Sequence, residues 1–272
     1  MHELKDRVAF ITGAANGIGL GIARACADAG MKLVLTDVDA DALAEACEAL
    51  LAQGHAAIAV PLNVSDESAW QSAASQAEAT YGAVHLLCNN AGITGSGRTV
   101  EELGAAEWRR IIDTNLTGLF LGVHTLLPRM RHHGQGGHIV NTASMGALLP
   151  YAGGASYVAS KAGMLAFSET LRAELQDCDI GVSVLLPAQV RTQLFQTSTA
   201  QLGSPEPDAM SRRAAARQSL EQQGLDPLDV GLQVLDAVRQ SRFYIFTHPE
   251  LHAVTRQRFD AMLEAMARGC QL

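Results

Sequence analysis

Short apolar runs rich in β-branched residues alternate with longer helical segments along almost the whole chain. Turn-bounded runs of this length are typical of buried parallel strands. They are VAFIT (8–12), KLVLT (32–36), AAIAV (56–60), VHLLCN (84–89), HIVNT (138–142), VSVLL (182–186) and FYIFT (243–247). Apolar residues recur at helical spacing around 18–29, 39–53, 66–80, 107–131, 157–177 and 249–268. The alternation predicts an α/β fold: one Rossmann-type, doubly wound parallel sheet of about seven strands with helices on both faces.

Nothing in the sequence divides this pattern into two domains. The chain has no Pro/Ser-rich linker and no internal repeat, so we expect one catalytic domain over residues 1–272. The polar stretch at about 193–225, which contains Gly203, Pro205 and Pro207, interrupts the alternation after the sixth strand. A long loop inside a compact domain is usually a lid or binding segment, and we predict a substrate lid here. A C-terminal helix is expected at about 249–268.

Charge and composition exclude several classes of partner. The formal net charge is -8 and no basic run occurs, which argues against nucleic acid and anionic membrane surfaces. No stretch approaches the ~18 apolar residues of a membrane span, and the N-terminus lacks the pattern of a secretory signal. The five cysteines and nine histidines show no metal-ligand spacing. We therefore expect a cytoplasmic protein with reduced thiols and no metal site.

A glycine-rich loop, TGAANGIG (12–19), follows the first predicted strand and opens a helix. Gly13, Gly17 and Gly19 allow a tight turn and a close approach of the backbone to a pyrophosphate, whose charge a helix N-terminus favours. A glycine string alone is weak evidence, but its position between a strand and a helix indicates a dinucleotide site.

The second strand ends in an acidic residue, Asp37, which lies 24 residues after Gly13. A carboxylate at this place can accept hydrogen bonds from both adenosine ribose hydroxyls and would repel a 2′-phosphate. An NADP site would instead carry Arg or Lys here, whereas Val38 and Asp39 follow in this chain. The alternative is that Asp37 only caps the next helix. The pattern favours NAD as the cofactor.

Tyr157 and Lys161 are four residues apart in the segment SYVASKAG, so both project from one face of a predicted helix. Tyrosine has an ordinary pKa near 10, too high for a general base at neutral pH. A neighbouring ammonium together with the positive charge of NAD⁺ would lower it. Ser144 follows the fifth strand, where parallel sheets place ligand-contacting residues. Taken alone, the pair is more typical of an ordinary amphipathic helix with a buried tyrosine and a surface lysine.

With all these motifs in order, the chain resembles the short-chain dehydrogenase/reductase family, in its compact single-domain branch. The resemblance covers about residues 4–250. Its motifs are the TGAANGIG loop, Asn89-Asn90-Ala91-Gly92, Asn115 within DTNLTG, Ser144, and the Tyr157-Val-Ala-Ser-Lys161 unit. It implies an NAD-dependent oxidoreductase that transfers a hydride between nicotinamide and a secondary alcohol or ketone.

The resemblance also implies a role for each of four catalytic residues. Ser144 would hydrogen-bond the reacting oxygen, and Tyr157 would exchange the proton. Lys161 would lower the tyrosine pKa and hold the nicotinamide ribose, while Asn115 would support a water that links the lysine to solvent. Thr192 matches a residue that binds the nicotinamide carboxamide. The full set expected at the cofactor is Gly13, Asn16, Gly17, Ile18, Gly19, Asp37, Asn63, Val64, Asn90, Ala91, Gly92, Tyr157, Lys161, Pro187, Val190 and Thr192.

Two positions depart from the family pattern. The family commonly has Asp-Val after the third strand, where the acid contacts adenine, and this chain has Asn63-Val64. An amide both donates and accepts hydrogen bonds, so adenine binding should survive with altered polarity. The family often has Pro-Gly after the sixth strand, and this chain has Pro187-Ala188. The alanine Cβ restricts the backbone beside the nicotinamide.

The substrate is expected to be a small alcohol or ketone, aromatic or alicyclic, held in a largely apolar pocket. The residues expected to line it are Met145, Tyr151, Gln189, Leu194 and Phe195. No convergent Arg or Lys cluster marks a phosphate-bearing substrate, and Arg98 and Arg191 do not settle whether a carboxylate is bound. Family members typically pair the helices at 107–131 and 157–177 across a two-fold axis, which implies a homodimer or homotetramer.

Other functions remain open at this stage. A sugar epimerase or dehydratase would have a different glycine spacing and a larger C-terminal domain. An enoyl reductase would place its lysine further from the tyrosine. A non-catalytic NAD-binding sensor or scaffold is the alternative from another class, although such proteins usually lose the serine, tyrosine or lysine.

Overall fold

The apolar runs form one sheet of seven parallel strands in a computed structural model that describes residues 1–202, 214, 217–218 and 220–269. The strands are β1 (Val8–Thr12), β2 (Lys32–Asp37), β3 (Ala57–Pro61), β4 (Leu86–Asn89), β5 (Gly137–Thr142), β6 (Ile180–Leu186) and β7 (Tyr244–Phe246). Their order in the sheet is β3-β2-β1-β4-β5-β6-β7. The predicted doubly wound parallel sheet is confirmed, and its order reverses between β1 and β4.

Helices cover both faces of the sheet. They are α1 (Gly17–Asp28), α2 (Ala40–Ala52), α3 (Glu67–Tyr81), α4 (Ala105–Ile112), α5 (Gly118–His133), α6 (Ala155–Glu174), α7 (Leu194–Leu202), α8 (Pro227–Arg239) and α9 (His252–Gly269). Helices α1, α2 and α8 supply one apolar core, and α3, α5 and α6 supply the other. Strand side chains alternate between the two: Ala9 and Ile11 enter the first core, and Val8 and Phe10 the second.

The segment expected to be one helix at 107–131 is interrupted by a π-helical turn at Asp113–Thr117, between α4 and α5. A π-helical turn accommodates one extra residue, and such turns are frequent at functional sites. Here it carries Asn115, which is fully buried and binds the backbone of Ile93. The helical spacing of the sequence gives no sign of this interruption, because apolar periodicity continues through it.

The base of the predicted lid is held closed. A β-bridge joins Val190 to Leu225, and the Arg191 guanidinium donates to the Gly224 carbonyl at 2.8 Å and to the Asp226 carboxylate at 2.9 Å. Helix α7 begins the segment between these two points. Much of the rest of the predicted lid, at 203–213, 215–216 and 219, lies outside the described residues.

None of the described helices combines the length and apolar character that crossing a bilayer requires. Within the same residues, no group of three or more His, Cys, Asp or Glu side chains is arranged to hold a metal ion. The described cysteines, Cys26, Cys47, Cys88 and Cys178, are free thiols.

Candidate active site

A cavity of about 360 Å³ opens at the carboxyl ends of the strands, where the order reverses between β1 and β4. Open α/β sheets bind ligands at such a switch point. Its lining contains fifteen of the sixteen residues expected at the cofactor, the exception being Gly19. They are Gly13, Asn16, Gly17, Ile18, Asp37, Asn63, Val64, Asn90, Ala91, Gly92, Tyr157, Lys161, Pro187, Val190 and Thr192. The structure therefore brings together residues that are spread over 180 positions of sequence.

The glycine loop can adopt its shape only with glycine at its key positions. Gly13 has φ +64° and Gly17 has φ +55°, conformations that other residues rarely adopt. A Cβ on Gly19 would lie 2.0 Å from the carbonyl oxygen of Gly13. Gly19 therefore closes the turn behind the cavity wall. Asn16 makes no side-chain cap to α1, so the first-turn N–H groups are left for an anion. The loop fits the pyrophosphate of a dinucleotide.

Asp37 sits at the end of β2 with its carboxylate held by the backbone. Its Oδ2 accepts from the Ala15 N–H at 3.2 Å, and its Oδ1 accepts from the Asp39 N–H at 3.1 Å. Burial raises the pKa of Asp37, and these backbone N–H groups oppose the rise. The cap of α2 is Asp39, whose side chain accepts from Ala42 N. Capping therefore does not explain Asp37, whose carboxylate lines the cavity.

Asn90 and Thr12 join the ends of β4 and β1 at the floor of the cavity. The Thr12 hydroxyl accepts from the backbone N–H groups of Asn90 and Ala91, each at 2.9 Å. In return, the Asn90 amide donates to the carbonyls of Thr12 at 3.0 Å and Gly13 at 3.3 Å. These bonds fix the glycine loop against the β4 end.

Ser144 and Tyr157 meet at one wall of the cavity. Ser144 follows β5 and accepts from the Gly146 N–H at 3.0 Å, while Tyr157 lies in the first turn of α6. A Cβ on Gly146 would lie 3.4 Å from the Ser144 hydroxyl and 3.7 Å from the Tyr157 ring. The Ser144 hydroxyl lies close enough to the Tyr157 phenol to lower its pKa. A reacting oxygen placed beside them would contact both hydroxyls.

Lys161 lies one helical turn after Tyr157 and is buried. Its ammonium nitrogen Nζ is 5.7 Å from the centre of the Tyr157 ring and donates to the Thr142 carbonyl at 2.7 Å. Burial lowers the pKa of Lys161 to about 7. Burial raises the pKa of Tyr157 to about 12, whereas the hydrogen bond with Ser144 lowers it and the nearby Tyr151 raises it. Without cofactor, the protein groups alone therefore leave the phenol protonated at neutral pH.

Asn115 stands behind this pair rather than on the cavity surface. Its Oδ1 accepts from Ile93 N at 2.8 Å, and its Nδ2 donates to the Ile93 carbonyl and the Ser160 hydroxyl, both at 2.9 Å. Gly92 lies between these side chains. A Cβ on Gly92 would be 3.1 Å from Oδ1 of Asn115 and 3.4 Å from Nζ of Lys161. Asn115 thus holds the chain after β4 in place beside the lysine.

Of the five residues expected to contact substrate, Leu194 lines the cavity. Tyr151 lies at its edge, with a ring carbon 3.6 Å from the point where a Gly146 Cβ would be. Met145 is buried in the core of α3, α5 and α6. Gln189 accepts from Leu225 N at the lid base, and Phe195 is half-buried on α7. Their contact with substrate stays a prediction.

Among the cavity residues that the sequence does not predict are Arg110, Asp113 and Thr114. They lie at the end of α4 and in the π-helical turn. Thr114 of this segment lies beside Val64, since both line a second, small pocket together with Gly118. The sequence offers one indication of them: they belong to the helical segment that follows β4, and β4 ends at the switch point. Ala188, the departure from the Pro-Gly pattern, also lines the cavity.

Known dehydrogenases match this chain along most of its length. A family model described as short chain dehydrogenase matches residues 7–203. The chain is 34% identical over 261 residues to 1-deoxy-11-beta-hydroxypentalenate dehydrogenase of Streptomyces exfoliatus, covering 96% of this chain and 89% of that protein. It is 35% identical over 194 residues to cyclohexanol dehydrogenase of Acinetobacter sp. strain SE19, covering 71% and 77%.

A solved structure agrees in fold over nearly the full length. It is a short chain dehydrogenase/reductase from Burkholderia phymatum in complex with NAD, with a TM-score of 0.94, 34% identity and 97% coverage of both chains. Family model, relatives and geometry lead to one conclusion. The chain belongs to the short-chain dehydrogenase family.

Proposed function

We propose that this protein oxidises a neutral, apolar secondary alcohol, alicyclic or aromatic, to the ketone with NAD⁺, or catalyses the reverse reduction. One observation carries the proposal. Ser144, Tyr157 and Lys161 meet at one wall of a cavity whose other residues include the glycine loop and Asp37. Binding a dinucleotide does not by itself require a serine and a tyrosine side by side next to a buried lysine.

The proton steps follow from the groups in place. An alcohol that becomes a ketone loses a proton from oxygen and a hydride from carbon, and NAD⁺ when bound accepts the hydride. Tyr157 takes the hydroxyl proton as general base, and the Ser144 hydroxyl donates a hydrogen bond to the same oxygen. Burial lowers the pKa of Lys161, but a phenolate at Tyr157 would favour its ammonium form, and each charge would then stabilise the other. In the reduction direction the same groups return the proton.

The preference for a neutral substrate follows from the positions of the arginine and lysine side chains around the cavity. Arg98 lies 3.6 Å from Glu107, and Arg191 pairs with Asp226 at the lid base. Among the charged residues that the structure places on the cavity wall, Lys161 is the one beside Tyr157. Among the described residues, a substrate carboxylate placed beside Tyr157 would thus have no cation other than Lys161 as a partner, which is unfavourable. Cyclohexanol, named for one relative, has the chemistry that this wall suits.

The choice of NAD over NADP rests on Asp37, and replacing Asp37 with alanine tests it. The carboxylate can accept from two ribose hydroxyls, and its loss should weaken NADH binding by about tenfold, the equivalent of ~1.4 kcal/mol for a charged hydrogen-bonding group. NADPH binding should be unchanged or stronger, since a repulsive charge is removed. Fluorescence titration with both cofactors measures the change.

Asp41→Ala provides the matched control. Asp41 is an exposed carboxylate in the first turn of α2, so the charge change is the same, but it is not on the cavity wall. This variant should bind both cofactors like the wild-type protein. A wild-type protein that bound NADPH more tightly than NADH would contradict the choice of NAD.

Assembly and location stay predictions within this proposal. A homodimer or homotetramer is supported by Phe120 of α5, which is 47% exposed and stacks only on His124 among the ring contacts of the described residues. A cytoplasmic location is supported by the free thiols of the described cysteines.

A further inference from the structure

One end of the cavity is built from the outer strands of the sheet, away from Tyr157. Val38 follows β2, and Asn63, Val64 and Ser65 follow β3. All four line the cavity, and so do Arg110, Asp113 and Thr114, of which Thr114 lies beside Val64. Because Asp37 is proposed to hold the adenosine ribose, the residues beyond it on the same side are positioned for the nucleobase. This step rests on the proposed NAD site.

The Asn63 side chain has a defined orientation at this end. Its Oδ1 accepts from the Ser65 backbone N–H at 3.2 Å and from the Ser65 hydroxyl at 2.8 Å. A backbone N–H can only donate, so the amide oxygen must face Ser65 and the NH₂ group must face away. A carbonyl oxygen has two lone pairs, and Ser65 uses both. Asn63 is exposed, and no described residue accepts from its NH₂ group.

We propose that Asn63 contacts the base through its NH₂ group alone, so that the site does not select adenine over hypoxanthine. Adenine carries an amino donor at position 6, and hypoxanthine carries a carbonyl acceptor there. A side chain that can only donate has no acceptor for the amino group, but it can donate to the hypoxanthine carbonyl or to N1 of adenine. An aspartate at this position would accept from the amino group and repel the carbonyl.

Two other charged residues line this end of the cavity, and they differ in what they could recognise. Arg110 can only donate, and it would also favour base acceptors. Asp113 is a carboxylate on the same stretch of wall and is the competing acceptor for the amino group. The experiment therefore has to separate Asn63 from Asp113.

The test compares the dissociation constants of NADH and reduced nicotinamide hypoxanthine dinucleotide by fluorescence titration. The two probes share phosphates, riboses and nicotinamide, so their ratio cancels any effect of charge or of a loosened site. The wild-type ratio should lie within about twofold of one. Asn63→Asp should raise the ratio about tenfold in favour of NADH, a change equal to one well-made hydrogen bond to a charged group. Asn63→Ala should weaken both probes by about threefold and keep the ratio near one.

Three outcomes would overturn the assignment. The first is a wild-type protein that rejects the hypoxanthine cofactor by tenfold or more, and the second is an Asn63→Asp variant with the wild-type ratio. The third is a ratio that changes in Asp113→Asn, because it would give the recognition of position 6 to Asp113. A wild-type protein that binds neither probe would instead refute the proposed NAD site, so the two failures are distinguishable.

Discussion

Replacing Tyr157 with phenylalanine should lower the turnover number for alcohol oxidation by about 10³-fold, within the range for loss of a general acid–base group. The ring keeps its place in α6, and only the hydroxyl beside Ser144 is removed. NADH binding should change by no more than about twofold, because the glycine loop and Asp37 are untouched. Initial rates of NADH formation give the turnover number, and a fluorescence titration gives the dissociation constant.

Tyr244→Phe is the matched control for this variant. The Tyr244 hydroxyl donates to Glu169 at 2.8 Å on the exposed edge strand β7, away from the cavity. The same loss of a phenol oxygen should leave turnover unchanged there. Wild-type turnover in Tyr157→Phe would show that another group moves the proton.

Replacing Lys161 with methionine should lower turnover at pH 7 by about 10²-fold and shift the pH profile of oxidation upward by at least about one unit. The physical reason lies in the pKa of Tyr157, which burial raises to about 12. Oxidation needs the phenolate, so its rate rises with pH through the tyrosine pKa. An ammonium beside the phenolate favours ionisation, and its removal moves that rise to higher pH. Activity in the variant should therefore recover in part as the pH increases.

The shape of the pH–rate curve distinguishes this role from a structural one. A merely loosened site would lose activity by the same factor at every pH. Lys5→Met removes an exposed ammonium far from the cavity and should keep both the rate and the profile. A Lys161→Met variant whose profile coincided in shape with that of the wild type would contradict an electrostatic role for the lysine.

The sheet could be predicted because each strand is a short run of apolar residues bounded by turns, a pattern that few other structures produce. The position of the dinucleotide site could be predicted from Gly13, which follows β1, and Asp37, which ends β2. The carboxyl ends of parallel strands lie at the same edge of a sheet. The residues predicted for that site line one cavity, and their contact with a dinucleotide stays a prediction. The Tyr157–Lys161 spacing alone predicted much less, and its meaning came from Ser144 and from the family resemblance.

The remaining features depend on packing between distant segments. The periodicity of 107–131 does not reveal the π-helical turn that carries Asn115, whose hydrogen-bond partner is the backbone of Ile93, 22 residues away. The inward packing of Met145 and the closure of the lid base by Arg191 likewise depend on partners far along the chain. The amide orientation of Asn63 is local, but only the hydrogen bonds from Ser65 fix it.

The most direct test of the central claim is the rate of NADH formation at 340 nm with purified protein, NAD⁺ and neutral secondary alcohols such as cyclohexanol and 1-phenylethanol. We expect turnover of at least one of these alcohols, with NAD⁺ preferred to NADP⁺ by about tenfold or more in kcat/KM, because the carboxylate of Asp37 would repel a 2′-phosphate. Tight binding of NADH with no oxidation of any alcohol and no reduction of the matching ketones would contradict it. That result would identify a protein that binds the dinucleotide without using Ser144, Tyr157 and Lys161 for catalysis.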